Sequence, residues 1–238
     1  MKIKSSTENL QVLYEDNHLI VINKRAGDIV QGDKTGDMPL SEIVKQYLKE
    51  KYHKSGEVFL GVVHRLDRPT TGIVVFAKTS KALSRLNMLF SEKESVTKTY
   101  WAMTDKVPMP TEGELQHWMT RNTEKNKSTA HKKEIKNSKR ALLKYRLLLK
   151  MNNYHLIEIQ LITGRHHQIR AQLAAEGCTI KGDLKYGAKR SNSDGSIHLH
   201  ARKLSFIHPV KKEPIEIQAP IPNDVLWQST YNQLNGEL

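Results

Sequence analysis

Apolar positions along the chain come in short runs broken by polar turns. Residues 12–14 and 18–23 flank Glu15-Asp16-Asn17 and predict a β-hairpin. From Pro39, the residues Leu40, Ile43, Val44, Tyr47 and Leu48 recur at helical spacing, so residues 39–52 read as an amphipathic helix. Residues 58–63 and 73–77 are short, β-branched and continuously apolar, the pattern of buried strands. Thr79 is a candidate cap for a second helix carrying Ala82, Leu83, Leu86, Leu89 and Phe90, and a strand follows over 97–103. Residues 142–149 and 154–162 resume the strand pattern, with Ile157, Ile159 and Leu161 on one face and Glu158 and Gln160 on the other. A third helix is expected from Gly164 to Gly177, capped by Thr163, and short strands at 199–206 and 215–219 close the series. Strands outnumber helices and neighbours are joined by hairpins, which predicts an α+β class with a largely antiparallel sheet. Two stretches break the pattern: the basic residues 121–140, read as an exposed excursion, and 189–196, read as a disordered loop.

Composition narrows the function. The 238 residues are 38% hydrophobic, enough for a substantial core, and no apolar run approaches the roughly 20 residues of a membrane-spanning helix. The single Cys178 leaves no intramolecular disulfide, and the charged start MKIKSSTENL has no apolar signal stretch, so the expectation is a cytoplasmic protein without membrane contact. Thirty-eight Lys and Arg against 25 Asp and Glu give a net charge of +13, which points to a polyanionic partner unless the charge is merely dispersed over a solvated surface.

Two polar segments carry candidate chemistry. In HRLDRPTTG, residues 64–72, Asp67 lies between Arg65 and Arg68, which favours its ionised form; an Asp that only caps a turn and neutralises its neighbours is an equal alternative from this loop alone. In GRHHQIR, residues 164–170, Arg165 is expected in the first turn of a helix, where a cation is unfavourable unless an anion such as RNA phosphate or the Asp67 carboxylate stands before it. An Arg reaching to solvent is the alternative.

These segments, with KGDLKYG at 181–187, the opening VLYEDNHLIVINKRAG, the strand KTYWA at 98–102 and HARKLSFIHP at 200–209, resemble the RluA family of pseudouridine synthases over nearly the whole chain. The resemblance implies one catalytic domain over 1–238, with its core at about 10–222, built as a central mixed sheet in two subdomains with the active site in the cleft between them. It also implies that specific uridines of ribosomal or transfer RNA are isomerised to pseudouridine. Asp67 is then the catalytic aspartate, Arg65 the residue that fills the gap left by the flipped base, Tyr100 the tyrosine packed on that base, and Arg165 the partner of the aspartate. His64, Arg68, His167, Gln168 and Arg170 are assigned to substrate binding. No cofactor, metal or DNA is expected, and a monomer suffices. The sequence departs from the family pattern in reading NKRAG for NKPAG, TTG for TSG, and GRHHQ for GRTHQ or GRSHQ, and it leaves no room for an N-terminal S4 RNA-binding domain.

Two other readings compete with this one. A catalytically silent RNA-binding or ribosome-assembly factor on the same fold would explain the charge, but not the joint presence of Asp67, Tyr100 and Arg165. A metal-dependent nuclease is suggested by His166-His167 and His198-Leu199-His200, which lack an accompanying carboxylate or Cys cluster in the sequence. Cys178 reads as a small packing residue.

Overall fold

The computed structural model describes residues 4–33, 35–92 and 95–236, so the first three residues of the charged start lie outside it. In chain order the first elements are strands β1 (Val12–Glu15) and β2 (Leu19–Lys24), helix α1 (Leu40–Lys51), strands β3 (Gly61–Val62) and β4 (Thr71–Ala77), and helix α2 (Ser80–Ser91). Strands β5 (Val96–Thr104), β6 (Glu112–Asn122), β7 (Lys127–His131), β8 (Lys139–Lys150) and β9 (His155–Leu161) follow. Helix α3 (Gln168–Ala175), strands β10 (Leu199–Ile207) and β11 (Pro214–Gln218) and helix α4 (Val225–Asn235) complete the α+β series. The chain forms two compact units, Met1–Val96 with Ala201–Pro220 and Thr97–His200 with Ile221–Leu238.

In the first unit the strands run in the order β1-β2-β4-β10, with β3 also on β4 and β11 on β10; the β1–β2, β2–β4, β3–β4 and β10–β11 ladders are antiparallel. β2 and β4 are covered on both faces, which is why their sequences are continuously apolar rather than alternating. Leu19, Val21, Ile73, Val75, Leu86 and Phe206 form the core under α2. The Thr79 hydroxyl accepts from the Ala82 backbone N–H at 3.2 Å, as expected of the cap. The apolar run at 58–63 makes only the two-residue strand β3: Val58 and Leu60 point inward while Phe59 is exposed, and Gly61 lies so close to the Leu83 side chain that a Cβ would overlap it. At Gly72 φ is +110° and a Cβ would collide with the Ala201 backbone, so the last residue of the first motif has to be glycine.

In the second unit β5-β9-β8-β6-β7 form a fully antiparallel sheet. Three expectations change here. Residues 121–140 are exposed at most positions, as expected, but they are not a mere loop: the end of β6 and β7 pair as a hairpin whose Ser128 is buried, and α3 packs on both strands. The signal in β6 was masked because its inward positions, Leu115, His117 and Met119, include a histidine, here bonded to Gln172 and Glu176. Residues 189–196 are anchored, with Asn192 donating to Ser196 O at 3.0 Å and accepting from Lys181 Nζ at 2.7 Å. Finally, α4 follows the last strand: Asp224 accepts from the backbone N–H groups of Leu226 and Trp227, and Trp227 packs on Trp101, Met103 and Leu156.

Candidate active site

The first unit carries the HRLDRPTTG loop between β3 and β4. A turn closes it, with the Thr70 N–H donating to Asp67 O at 3.0 Å. Below the turn lies Lys24, only 1% exposed, the last residue of β2. Its ammonium donates to the carbonyls of Arg25 at 2.8 Å, Asp28 at 2.9 Å and Arg68 at 3.1 Å. One buried cation therefore ties the NKRAG segment to the residue after Asp67. Burial brings the Lys24 pKa down to about 7, and the charges of Asp28 and Asp67 oppose that fall. Gly27 N–H adds a second bond to Arg68 O at 2.8 Å. The sequence reading passed over Lys24, whose only signal was a lysine closing an apolar strand.

Arg65 is exposed and Asp67 half-buried. His64, expected on substrate, is occupied within its own unit: Nε2 accepts from the Val75 N–H at 3.1 Å, and the ring stacks on Phe90 at 4.9 Å. Arg68 turns its guanidinium to Asp33, Thr35 and Asp37.

The second unit carries the other expected residues. Tyr100, 8% exposed on β5, lies opposite Ile159 of β9. The GRHHQIR segment departs from expectation, because α3 starts at Gln168 and the residues before it form a turn at 166–167, closed by the Gln168 N–H donating to Arg165 O at 3.1 Å. Arg165 therefore precedes the helix rather than occupying its first turn, and the argument from the helix dipole does not apply to it. Thr163 is not the cap: its hydroxyl accepts from Leu142 N–H at 2.8 Å and donates to Gln168 Oε1 at 2.8 Å. Gln168 Oε1 also accepts from Arg165 N–H at 2.9 Å, and its Nε2 donates to Leu142 O. The buried amide thus shapes the turn that presents Arg165, whose Nε donates to Arg140 O at 3.1 Å. His167, the residue before the helix, takes a left-handed φ of 53°, stacks on His166 at 3.8 Å and bonds Tyr186 through Nδ1 at 3.0 Å.

Arg170 forms a buried bidentate pair with Asp183, at 2.7 and 2.8 Å, and packs over the Tyr186 ring. Tyr186 accepts from the Ser128 N–H and donates to its carbonyl, so α3, β7 and the KGDLKYG segment are locked together. Asp183 and Tyr186 sat inside a recognised motif without a role assigned to them. The Asp183→Asn substitution removes the negative charge of this buried pair and is expected to lower stability by about 3–5 kcal/mol, read by urea denaturation; a loss under about 1 kcal/mol would deny the pair that role.

The HxH pair is also accounted for: His198 Nε2 lies 3.0 Å from Asp224 Oδ1, and both rings pack on Trp227. Burial, the main cause, lowers the His198 pKa. Among the described residues no three His, Cys, Asp or Glu side chains gather as a metal ion would require, and no described helix is long and apolar enough to cross a membrane.

The family described as RNA pseudouridylate synthase matches residues 18–175, a stretch that includes both motif segments. The chain belongs to this family. It is an isomerase of the RluA type, as the notable sequence relatives agree. A ribosomal large subunit pseudouridine synthase C from Rickettsia felis is 36% identical over 89% of this chain and 67% of its own length. A ribosomal large subunit pseudouridine synthase D from Zymomonas mobilis is 31% identical over 91% of this chain and 70% of its own length. The chain spans about two thirds of the length of such relatives. Among solved structures, human RNA pseudouridylate synthase domain containing 4 superposes with a TM-score of 0.76 at 27% identity, over 94% of this chain and 93% of that one.

Proposed function

We propose that this pseudouridine synthase isomerises uridine in ribosomal RNA, with Asp67 as its nucleophile. The observation that carries the assignment of Asp67 is its place in a closed turn whose next residue is fixed from below by Lys24 and Gly27. A nucleophile needs such fixed presentation, since small displacements cost large factors in rate. The reaction breaks the N1–C1′ bond of uridine and forms C5–C1′ in its place; the C5 proton is released to water and N1 takes up a proton, so the product is an isomer. Its chemistry asks for an ionised carboxylate, a flipped base and a proton acceptor. Arg65 fills the gap the base leaves, Tyr100 packs on the base and takes part in proton movement, and Arg165 completes the catalytic set. Basic side chains elsewhere hold the RNA backbone, and splayed loop bases are its natural target. No metal or cofactor enters the reaction; the protein works as a monomer in the cytoplasm, on RNA and not on DNA.

The ribosomal assignment follows the names of the relatives, and it is tested with RNA labelled with tritium at uridine C5. Wild-type protein is expected to release tritium from a ribosomal RNA pool and not from a transfer RNA pool. Release from the transfer RNA pool alone would overturn the substrate while keeping the reaction.

A further inference from the structure

Arg68 follows the proposed nucleophile in sequence and was expected to bind substrate, yet its donors meet acceptors of its own unit. Nη1 donates to Asp37 Oδ2 at 2.5 Å, while Nη2 donates to Thr35 Oγ1 at 2.7 Å and lies 3.5 Å from Asp33 Oδ2. The loop making these contacts is itself assembled. Thr35 donates to Asp33 Oδ1 through its backbone N–H, at 2.9 Å, and through its hydroxyl. Gly36, at φ +74°, supplies the left-handed turn between Thr35 and Asp37. Asp37 Oδ1 accepts from Lys4 Nζ at 2.9 Å, and the next residue, Ser5, bonds Asp28 through its hydroxyl at 2.7 Å. Asp28 in turn offers its carbonyl to Lys24. Arg68 is therefore held at its backbone by Lys24 and Gly27 and at its side chain by Asp33, Thr35 and Asp37.

Two carboxylates beside a surface that must accept a polyanion oppose binding. Their presence is explained if their task is to hold a guanidinium, whose planar fork fixes direction as well as distance. We infer that Asp33, Thr35 and Asp37 are positioning residues of the isomerisation: by gripping Arg68 they fix the turn at 67–70 and orient the Asp67 carboxylate. This rests on the reading of Asp67 as nucleophile. The three residues touch neither base nor sugar; they act through Arg68.

The test measures kcat and KM for tritium release from ribosomal RNA labelled at uridine C5, and the salt dependence of KM. It compares wild type with the Asp33→Asn/Asp37→Asn double variant, Thr35→Val and Asp37→Glu. These side chains are at the surface, and melting curves confirm that each variant is folded at the assay temperature. The double variant is expected to lose about tenfold or more in kcat, as misplacement of a reacting group does. Its KM and salt dependence stay within about twofold of wild type, Thr35→Val loses less, and Asp37→Glu recovers part of the rate. An unchanged kcat with lower KM and steeper salt dependence would mean that the acids only compete with RNA for Arg68, and would overturn the inference. So would variants indistinguishable from an active wild type. Absence of release by wild type from any RNA overturns the reading of Asp67, and this inference with it.

Discussion

Asp67→Asn is expected to abolish tritium release, with a fall in rate of about 10⁴-fold or more, the scale on which removal of a nucleophile acts. The substitution keeps the shape of the side chain and the backbone bond from Thr70 to Asp67 O, and removes only the negative charge. RNA affinity by filter binding should stay within about threefold, because one carboxylate contributes nothing to holding phosphate. Stability should change by no more than about 1 kcal/mol, since the residue is half-buried in a loop rather than in a core. Turnover at the wild-type rate would remove Asp67 from the chemistry. Loss of RNA binding together with turnover would instead make it part of the binding surface, and the silent-factor reading would return.

The second large effect is expected at Lys24. Lys24→Met preserves length and apolar packing but removes the donor shared by three carbonyls in a site with 1% exposure. Arg68 O keeps its bond from Gly27 N–H, so the loss falls on the carbonyls of Arg25 and Asp28; an unpaired buried carbonyl costs about 1–3 kcal/mol, partly offset by no longer burying a charge, so a net loss of about 2–4 kcal/mol is expected. The loss has a pH signature. The Lys24 pKa falls from 10.5 to about 7 on folding, so between those values the unfolded chain binds more protons than the folded one. Stability contributed by this group therefore rises with pH across that window, and methionine lacks the effect. The gap between wild type and variant should widen from pH 7 to pH 10, measured by urea denaturation at several pH values. A constant gap would mean that Lys24 does not titrate there. The rate should fall even at low temperatures where the variant is still folded, because the segment at 25–28 and the turn at 67–70 lose their common anchor.

Strands β2 and β4 were legible because burial on both faces leaves an unbroken β-branched run, and α1 and α2 because one covered face imposes helical spacing. β6 and β7 were hidden for the converse reason. Their inward positions hold His117 and Ser128, polar groups stabilised by Gln172, Glu176 and Tyr186 from distant parts of the chain. α4 was missed although Asp224 followed by Leu226 and Trp227 is a start signal; it comes after proline-rich residues that read as an ending. The shift in the start of α3 had no local warning, because Gln168 folds its amide back to Arg165 and Leu142 and turns what looked like a first helical turn into a separate bend.

The candidate site divides along the same line. By itself the sequence determined the family, the α+β class and the two motif segments, because residue types in fixed order are a local property that survives without coordinates. Which motif residues are committed to their own unit was decided only by tertiary structure. His64 with Val75 and Phe90, Arg170 with Asp183, and Arg68 with Asp33, Thr35 and Asp37 all join groups far enough apart in sequence that no spacing rule connects them. A charged or polar side chain looks the same in sequence whether it awaits a ligand or satisfies a buried neighbour. The difference lies in the partner that folding brings to it.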